Sequence, residues 1–188
     1  MNIEKQKYFK VSLQSYWLSS TSSTNYPSLQ ENIHVDVAII GGGLAGISCA
    51  YLLKKENVNV AVLEAEHIAQ NTSAHTTAKI TSQHGLIYYK IKSQIGNELA
   101  QQYAEANEAA IYEIKKIIDE NHIDCNYTTQ SAFVYTQTDQ YIQQINDELN
   151  TVSNLGIKAS YVEDIPFPIS DFVLIIKHNF IRVNIYLK

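Results

Sequence analysis

Six consecutive residues concentrate the chemistry this chain can offer: Gly41-Gly42-Gly43-Leu44-Ala45-Gly46, which matches G-x-G-x-x-G. Gly41 permits a tight turn. Gly43 has no Cβ, so a pyrophosphate can approach the backbone. Gly46 lets a helix lie close to the preceding strand, and Ala50 one turn later keeps that surface small. The free N–H groups and partial positive charge at the start of that helix suit phosphate. Glu64 follows about twenty residues on, where a carboxylate accepts hydrogen bonds from a ribose 2′-OH and repels a 2′-phosphate. A glycine cluster alone is equally a tight loop. With strand, helix, Ala50 and Glu64 in register it points to a dinucleotide, without choosing between FAD and NAD.

The stretch after Glu64, AEHIAQNTSAHTTAKITSQHG, is dense in Thr, Ser and His, and by itself reads as an ordinary polar loop. His67, His75 and His84 stand at neither i,i+4 spacing nor in a Cys/His ligand pattern, so no metal site is expected. His84 is equally a structural histidine, and Lys79 reads as solvated. The two cysteines, Cys49 and Cys125, exclude a disulfide-rich scaffold and a cysteine-based metal cluster from this chain alone. Cys49 falls within a helix where a small buried residue is expected, which favours packing over redox chemistry. Most of the 13 tyrosines need no role beyond packing with a wet tip.

The elements that must position these groups are legible from pattern. Residues 34–40 (HVDVAII) read as a strand buried on both faces, residues 44–56 as a helix stopped by Asn57, and residues 59–64 as a second buried strand. Strand, glycine turn, helix and strand form a βαβ unit and imply a parallel sheet. Residues 19–30, rich in Ser, Thr, Asn and Pro, form an irregular lead-in. In residues 96–121, Leu99, Tyr103, Ala106, Ala110, Ile114, Ile117 and Ile118 recur at helical spacing and predict an amphipathic helix. Residues 131–136 alternate like a strand. Residues 139–155 return to helix, with Ile142, Ile145, Leu149 and Val152 on one face and Gly156 as the stop. Residues 159–162 make a short strand before the breakers Pro166 and Pro168. The class is α/β.

Length and charge narrow the partners. The chain has 188 residues, 14 Lys and Arg against 19 Asp and Glu, and 45% hydrophobic residues, as a globular domain with one sizeable core would have. A formal charge of -5 without a basic block argues against nucleic acid. Residues 37–53 carry no charge but are short for a membrane span and are interrupted by glycine, so no span is expected. The N-terminal sequence has no apolar signal region, and the expected compartment is the cytoplasm.

The runs VAIIGGGLAGISCAYLL, VAVLEA and NTSAHTTAKITSQHGLIY resemble the D-amino-acid oxidase/glycine oxidase superfamily of FAD-dependent oxidoreductases. The SYWL near the N-terminus, YAEANEAAI and IDCNYTTQSAFVY resemble a bacterial branch that carries a C-terminal Rieske domain. The TSAHTTAKITSQHG run is more specific than the glycine motif. The resemblance implies a Rossmann-like FAD/NAD(P)-binding βαβ unit with a parallel sheet, incomplete here, followed by helices and short strands of an interleaved second domain. It implies FAD as cofactor, with Gly41, Gly42, Gly43, Leu44, Ala45 and Gly46 at the pyrophosphate and Glu64 with Ala65 at the adenosine ribose. Thr72, Ser73, His75, Thr76 and Thr77 are implied along the phosphates and ribityl chain, with His75 able to tune the flavin ring. The corresponding division is a lead-in over residues 1–33, an FAD-binding segment over 34–95, an interleaved segment over 96–168 and a divergent tail over 169–188.

The implied function is the FAD-binding part of an oxidoreductase that takes amine or amino-acid-like substrates and passes hydride to the flavin. Similarity fades after Pro168, the Rieske Cys/His ligands are absent, and relatives are longer, so the sequence is expected to be an N-terminal fragment with no assignable catalytic residue. A shifted reading frame or early stop would account for the tail, whose apolar FVLII run needs a core to join or becomes an aggregation hazard. An NAD-dependent Rossmann enzyme and a truncated, non-catalytic nucleotide-binding chain are the alternatives.

Overall fold

The computed structural model describes residues 14–162 and, by backbone, residues 174–183. Pro166, Pro168 and part of the tail lie outside the described residues. The chain divides between Thr77 and Ala78 into two compact units.

In the first unit, helix α1 (Tyr16–Ser20) precedes strand β1 (Val37–Ile40), helix α2 (Leu44–Lys55) and strand β2 (Val60–Leu63). β1 and β2 pair in parallel with Val37 opposite Val60 and Ile40 opposite Leu63, the βαβ unit expected. Asp36 sets the entry to β1. Its N–H donates to the Asn59 carbonyl at 2.9 Å, and its carboxylate accepts the Asn59 N–H at 2.9 Å. Asn57 takes a left-handed conformation (φ 61°) just after α2, as expected of a helix-ending Asn.

Burial departs from the sequence expectation. β1 is half-buried and exposed in alternation, with Ile40 80% exposed, instead of covered on both faces. Among the described residues of this unit α2 packs on β1 and β2, and one helix covers only one face of a sheet. Cys49 is likewise exposed on α2, not packed in a core.

The second unit holds strand β3 (Lys79–Ile80), helix α3 (Tyr88–Ile95), helix α4 (Asn97–Glu120), strand β4 (Tyr127–Thr136), helix α5 (Ile142–Asn154), strand β5 (Ala159–Tyr161) and strand β6 (Leu174–Val183). β6 is the strand they share. It runs antiparallel to β4 from Tyr127↔Val183 to Thr136↔Leu174, and its other edge takes β5 and then β3. The tail therefore supplies the interior strand of this sheet.

The core of this unit gathers Tyr88, Ala100, Ala104, Val152, Leu155 and Ile157. The expected α4 stripe holds in part: Tyr103, Ile114, Ile117 and Ile118 are half-buried, while Ala106 and Ala110 are exposed. Leu99 is exposed, whereas Ala100 and Ala104 are buried, because small residues let α3 approach closely and the Tyr88 ring stack edge-on to Tyr103 with centroids 5.8 Å apart. On α5, Ile145 and Val152 are buried as expected. Glu148, on the same buried face, is 0% exposed. Its carboxylate accepts the N–H groups of Tyr88 at 3.0 Å and Tyr89 at 2.7 Å, together with the Gln83 side-chain amide at 3.1 Å. A carboxylate from another helix thus satisfies two of the orphan donors of the first turn of α3 and meets its positive end. Tyr88 is fully buried too, and its hydroxyl donates to the Ser82 carbonyl at 2.6 Å. Burial pushes its ionisation well above the ordinary tyrosine range, so it stays protonated.

Candidate functional site

The glycine turn joins β1 to α2 within the first unit. Gly41 adopts φ 101°, a conformation that favours glycine, and its N–H donates to the Leu63 carbonyl at 2.8 Å. A Cβ on Gly46 would stand 2.0 Å from the Gly41 carbonyl oxygen and 3.3 Å from Ile39 Cγ2. That is the close helix–strand approach expected of this position, and backbone cannot retreat from it. At Gly43 a Cβ would meet only Ser73 Oγ, at 3.4 Å. The absent methyl leaves space on the cleft side of the turn.

Glu64 reaches back across that turn. One carboxylate oxygen accepts the Gly42 N–H at 2.7 Å and the other the Glu66 N–H at 3.1 Å. These bonds, Gly42 first and Glu66 second, hold the Glu64 carboxyl below its ordinary range against the opposing effect of burial. An ionised carboxylate has about four acceptor positions, so capacity remains for ribose hydroxyls. At the head of α2, the Leu44 N–H donates to Ser73 Oγ at 2.9 Å. The Ser73 hydroxyl thus sits at the helix N-terminus, where a phosphate oxygen is favoured.

An open cleft of about 170 Å³ is lined by Gly43, Glu64, His67, Ala69, Asn71, Thr72 and Ser73. It falls below the roughly 300–1,000 Å³ of a pocket enclosing a whole drug-sized ligand. The donor set fits part of a dinucleotide: helix N–H groups, one hydroxyl at the helix terminus and a backbone-held carboxylate. Of the expected residues, Gly43, Glu64, Thr72 and Ser73 converge on this cleft. Gly41, Gly42 and Gly46 shape the turn beside it, and the Leu44 N–H holds Ser73 at its edge. Ala45, Ala65, Thr76 and Thr77 are exposed outside the lining. His75 is exposed as well, its Nδ1 donating to the Asn71 carbonyl at 2.8 Å. His84, in the second unit, is exposed.

Sequence reasoning missed Asn71 and Ala69. Asn71 organises the 3₁₀ turn Thr72–His75, its carbonyl accepting the Ala74 N–H at 3.0 Å. Ala69 stands at φ 59° with its N–H on the Gly42 carbonyl at 2.9 Å, a strained position that no residue type announces. Ser15 and Trp17 were also missed as parts of the site. Trp17 Nε1 donates to the Thr76 carbonyl at 2.8 Å, and the Ser15 hydroxyl donates to the Ala74 carbonyl.

A family model described as FAD dependent oxidoreductase matches residues 36–165. The chain is 39% identical over 174 residues to YhfW of Bacillus subtilis (strain 168), named as a Rieske 2Fe-2S iron-sulfur protein, covering 93% of this chain and 34% of that one. It is 25% identical over 145 residues to gamma-glutamylputrescine oxidoreductase of Escherichia coli (strain K12), covering 77% of this chain and 34% of the relative. The chain thus spans about a third of the length of the curated relatives it matches. Among solved structures, an L-amino acid deaminase from Proteus vulgaris superposes with TM-score 0.66 at 13% identity, over 87% of this chain and 37% of that one. A glycine oxidase from Bacillus cereus ATCC 14579 gives TM-score 0.52 at 18% identity, over 80% and 40%. These two likenesses establish the shared fold.

Proposed function

The chain belongs to the FAD dependent oxidoreductase family, and from that membership we propose that it forms the FAD-binding part of an oxidoreductase that oxidises amine or amino-acid-like substrates by hydride transfer to the flavin. The observation that carries the proposal is the convergence of Gly43, Ser73, Thr72 and Glu64 on one cleft at the N-terminus of α2. The family match favours FAD over the NAD alternative.

On this reading the head of α2 and the Ser73 hydroxyl receive the pyrophosphate, and Glu64 receives the ribose hydroxyls while its bond to Gly42 keeps the turn closed. Thr76 and Thr77 continue the cofactor segment toward the ribityl chain. When bound, FAD supplies the hydride acceptor for the C–H beside the substrate nitrogen. Residues 34–95 are the cofactor segment and residues 96–168 belong to the interleaved domain. Gamma-glutamylputrescine oxidoreductase and the amino-acid-acting structures support amine or amino-acid-like substrates. The setting proposed is the cytoplasm; no helix among the described residues is long and apolar enough to cross a membrane.

The test is the absorbance of the purified chain between about 350 and 500 nm, where bound flavin absorbs, before and after adding FAD. Bound flavin, released on denaturation and lost in the Gly43→Val/Glu64→Ala double variant, is the expected result. A folded chain that takes up no flavin would reject the cofactor site for this polypeptide.

A further inference from the structure

The segment Thr72–Thr77 leads from the cleft toward the end of the first unit. Its regular part is a single 3₁₀ turn, Thr72–His75, closed by Asn71. One turn fixes several dihedral angles for very few hydrogen bonds and is not stable alone. Two carbonyls of this segment, at Ala74 and Thr76, are engaged by side chains nearly sixty residues away in sequence. Both come from α1.

The contacts interlock. The Ser15 hydroxyl donates to the Ala74 carbonyl and accepts the Trp17 N–H at 3.2 Å, capping α1. Trp17 Nε1 donates to the Thr76 carbonyl at 2.8 Å, and its ring meets Tyr16 edge-on with centroids 5.3 Å apart. Ala74, which bears one of the two anchored carbonyls, is 4% exposed. Upstream of the anchored carbonyls, Thr72 and Ser73 line the cleft and Ser73 Oγ accepts the Leu44 N–H.

We propose that Ser15 and Trp17 are positioning residues that clamp Thr72–Thr77 through the Ala74 and Thr76 carbonyls and so hold Thr72 and Ser73 at the cofactor cleft. The clamp is built from side-chain donors outside the cleft lining: Trp17→Phe removes the bond to Thr76, and Ser15→Ala removes the bond to Ala74 together with the α1 cap. Its purpose rests on the FAD-binding reading above, whereas its existence does not.

The experiment compares the full chain with Ser15→Ala, Ser15→Thr and Trp17→Phe by amide hydrogen exchange without cofactor and by FAD titration followed through flavin fluorescence. Ser15→Ala and Trp17→Phe should raise exchange over residues 72–77 and leave β1, α2 and β2 as in the parent chain. Loss of one such bond should weaken FAD about fivefold. Ser15→Thr, which keeps the hydroxyl, should behave as the parent. Exchange that stays unchanged over 72–77, or rises equally through β1 and α2, would overturn the clamp, as would loosened exchange with undiminished FAD affinity. If Trp17→Phe does not fold, Ser15→Ala decides. A parent chain that binds no FAD would sink the functional reading, and the exchange comparison would still decide the clamp.

Discussion

The two units reach order by opposite means. In the first, β1, α2 and β2 contain no fully buried residue, and the definition of the site comes from backbone: a turn at positive φ, a helix seated against a carbonyl, and a carboxylate tied to two N–H groups. In the second, definition comes from side chains, with Tyr88, Val152 and the buried Glu148 at its centre. A nucleotide site asks for backbone N–H groups and close approach, which glycine provides and bulky side chains obstruct. Precision at the cleft therefore coexists with a thin apolar core.

The contrast breaks most sharply at Glu148. Replacing it by Ala takes the acceptor from the buried Tyr88 N–H and the part-buried Tyr89 N–H and leaves the Gln83 amide only its bond to the Gly85 carbonyl, and should destabilise the second unit by about 4 kcal/mol. Urea unfolding, with exchange in α3 as the local probe, measures it. Trp17 is the only tryptophan and lies in the first unit, so its fluorescence follows the other half of the molecule. A much smaller loss in the second unit would remove Glu148 from its centre.

The counterpart in the first unit is Gly46→Ala, whose Cβ collides with the Gly41 carbonyl. It should cost about 3 kcal/mol in that unit and abolish flavin uptake. Near-parental Trp17 unfolding and normal flavin binding would show that helix and strand do not approach so closely. A smaller change sharpens the second unit: Tyr88→Phe keeps the ring and its edge-on partner but deletes the bond to Ser82, and should cost about 1 kcal/mol by denaturation.

The smallest effect is one of pH. Glu64 has a folded pKa below its ordinary value of 4.5, so the stability its ionised form contributes is full above that value and is lost as pH falls through the lowered one. Glu64→Gln should flatten the acid-side loss of stability in the first unit without altering the second. Identical acid profiles in parent and variant would show that the bonds to Gly42 and Glu66 do not couple to folding.

What the sequence made legible was local. The glycine motif announces the turn because three positions within six residues carry the constraint, and α4 and α5 declare themselves by period. Long-range relations were not legible. Nothing in SYWL states that Ser15 and Trp17 donate to Ala74 and Thr76, because hydrogen-bond partners 59 residues apart leave no spacing rule. Glu148 reads as a solvated helix residue until the start of α3 is brought against it. Periodicity found α4 and its half-buried Tyr103, Ile114, Ile117 and Ile118, but not Ala100 and Ala104, which close packing buries deepest. The two-sided burial expected of β1 failed because burial depends on what covers a strand, which its own residues do not encode.

The shared strand β6 also sets an order of events during synthesis. β3 pairs Lys79 with Arg182 and β4 pairs Tyr127 with Val183, so both strands wait for residues translated long after them. In the first unit β1, α2 and β2 pack on one another, all within residues 37–63. On a ribosome releasing the chain from its N-terminus, the glycine turn and its helix are free to form early. The second sheet stays an open set of strand edges until β6 emerges, and that interval is when edges are exposed to chaperones and to neighbouring nascent chains.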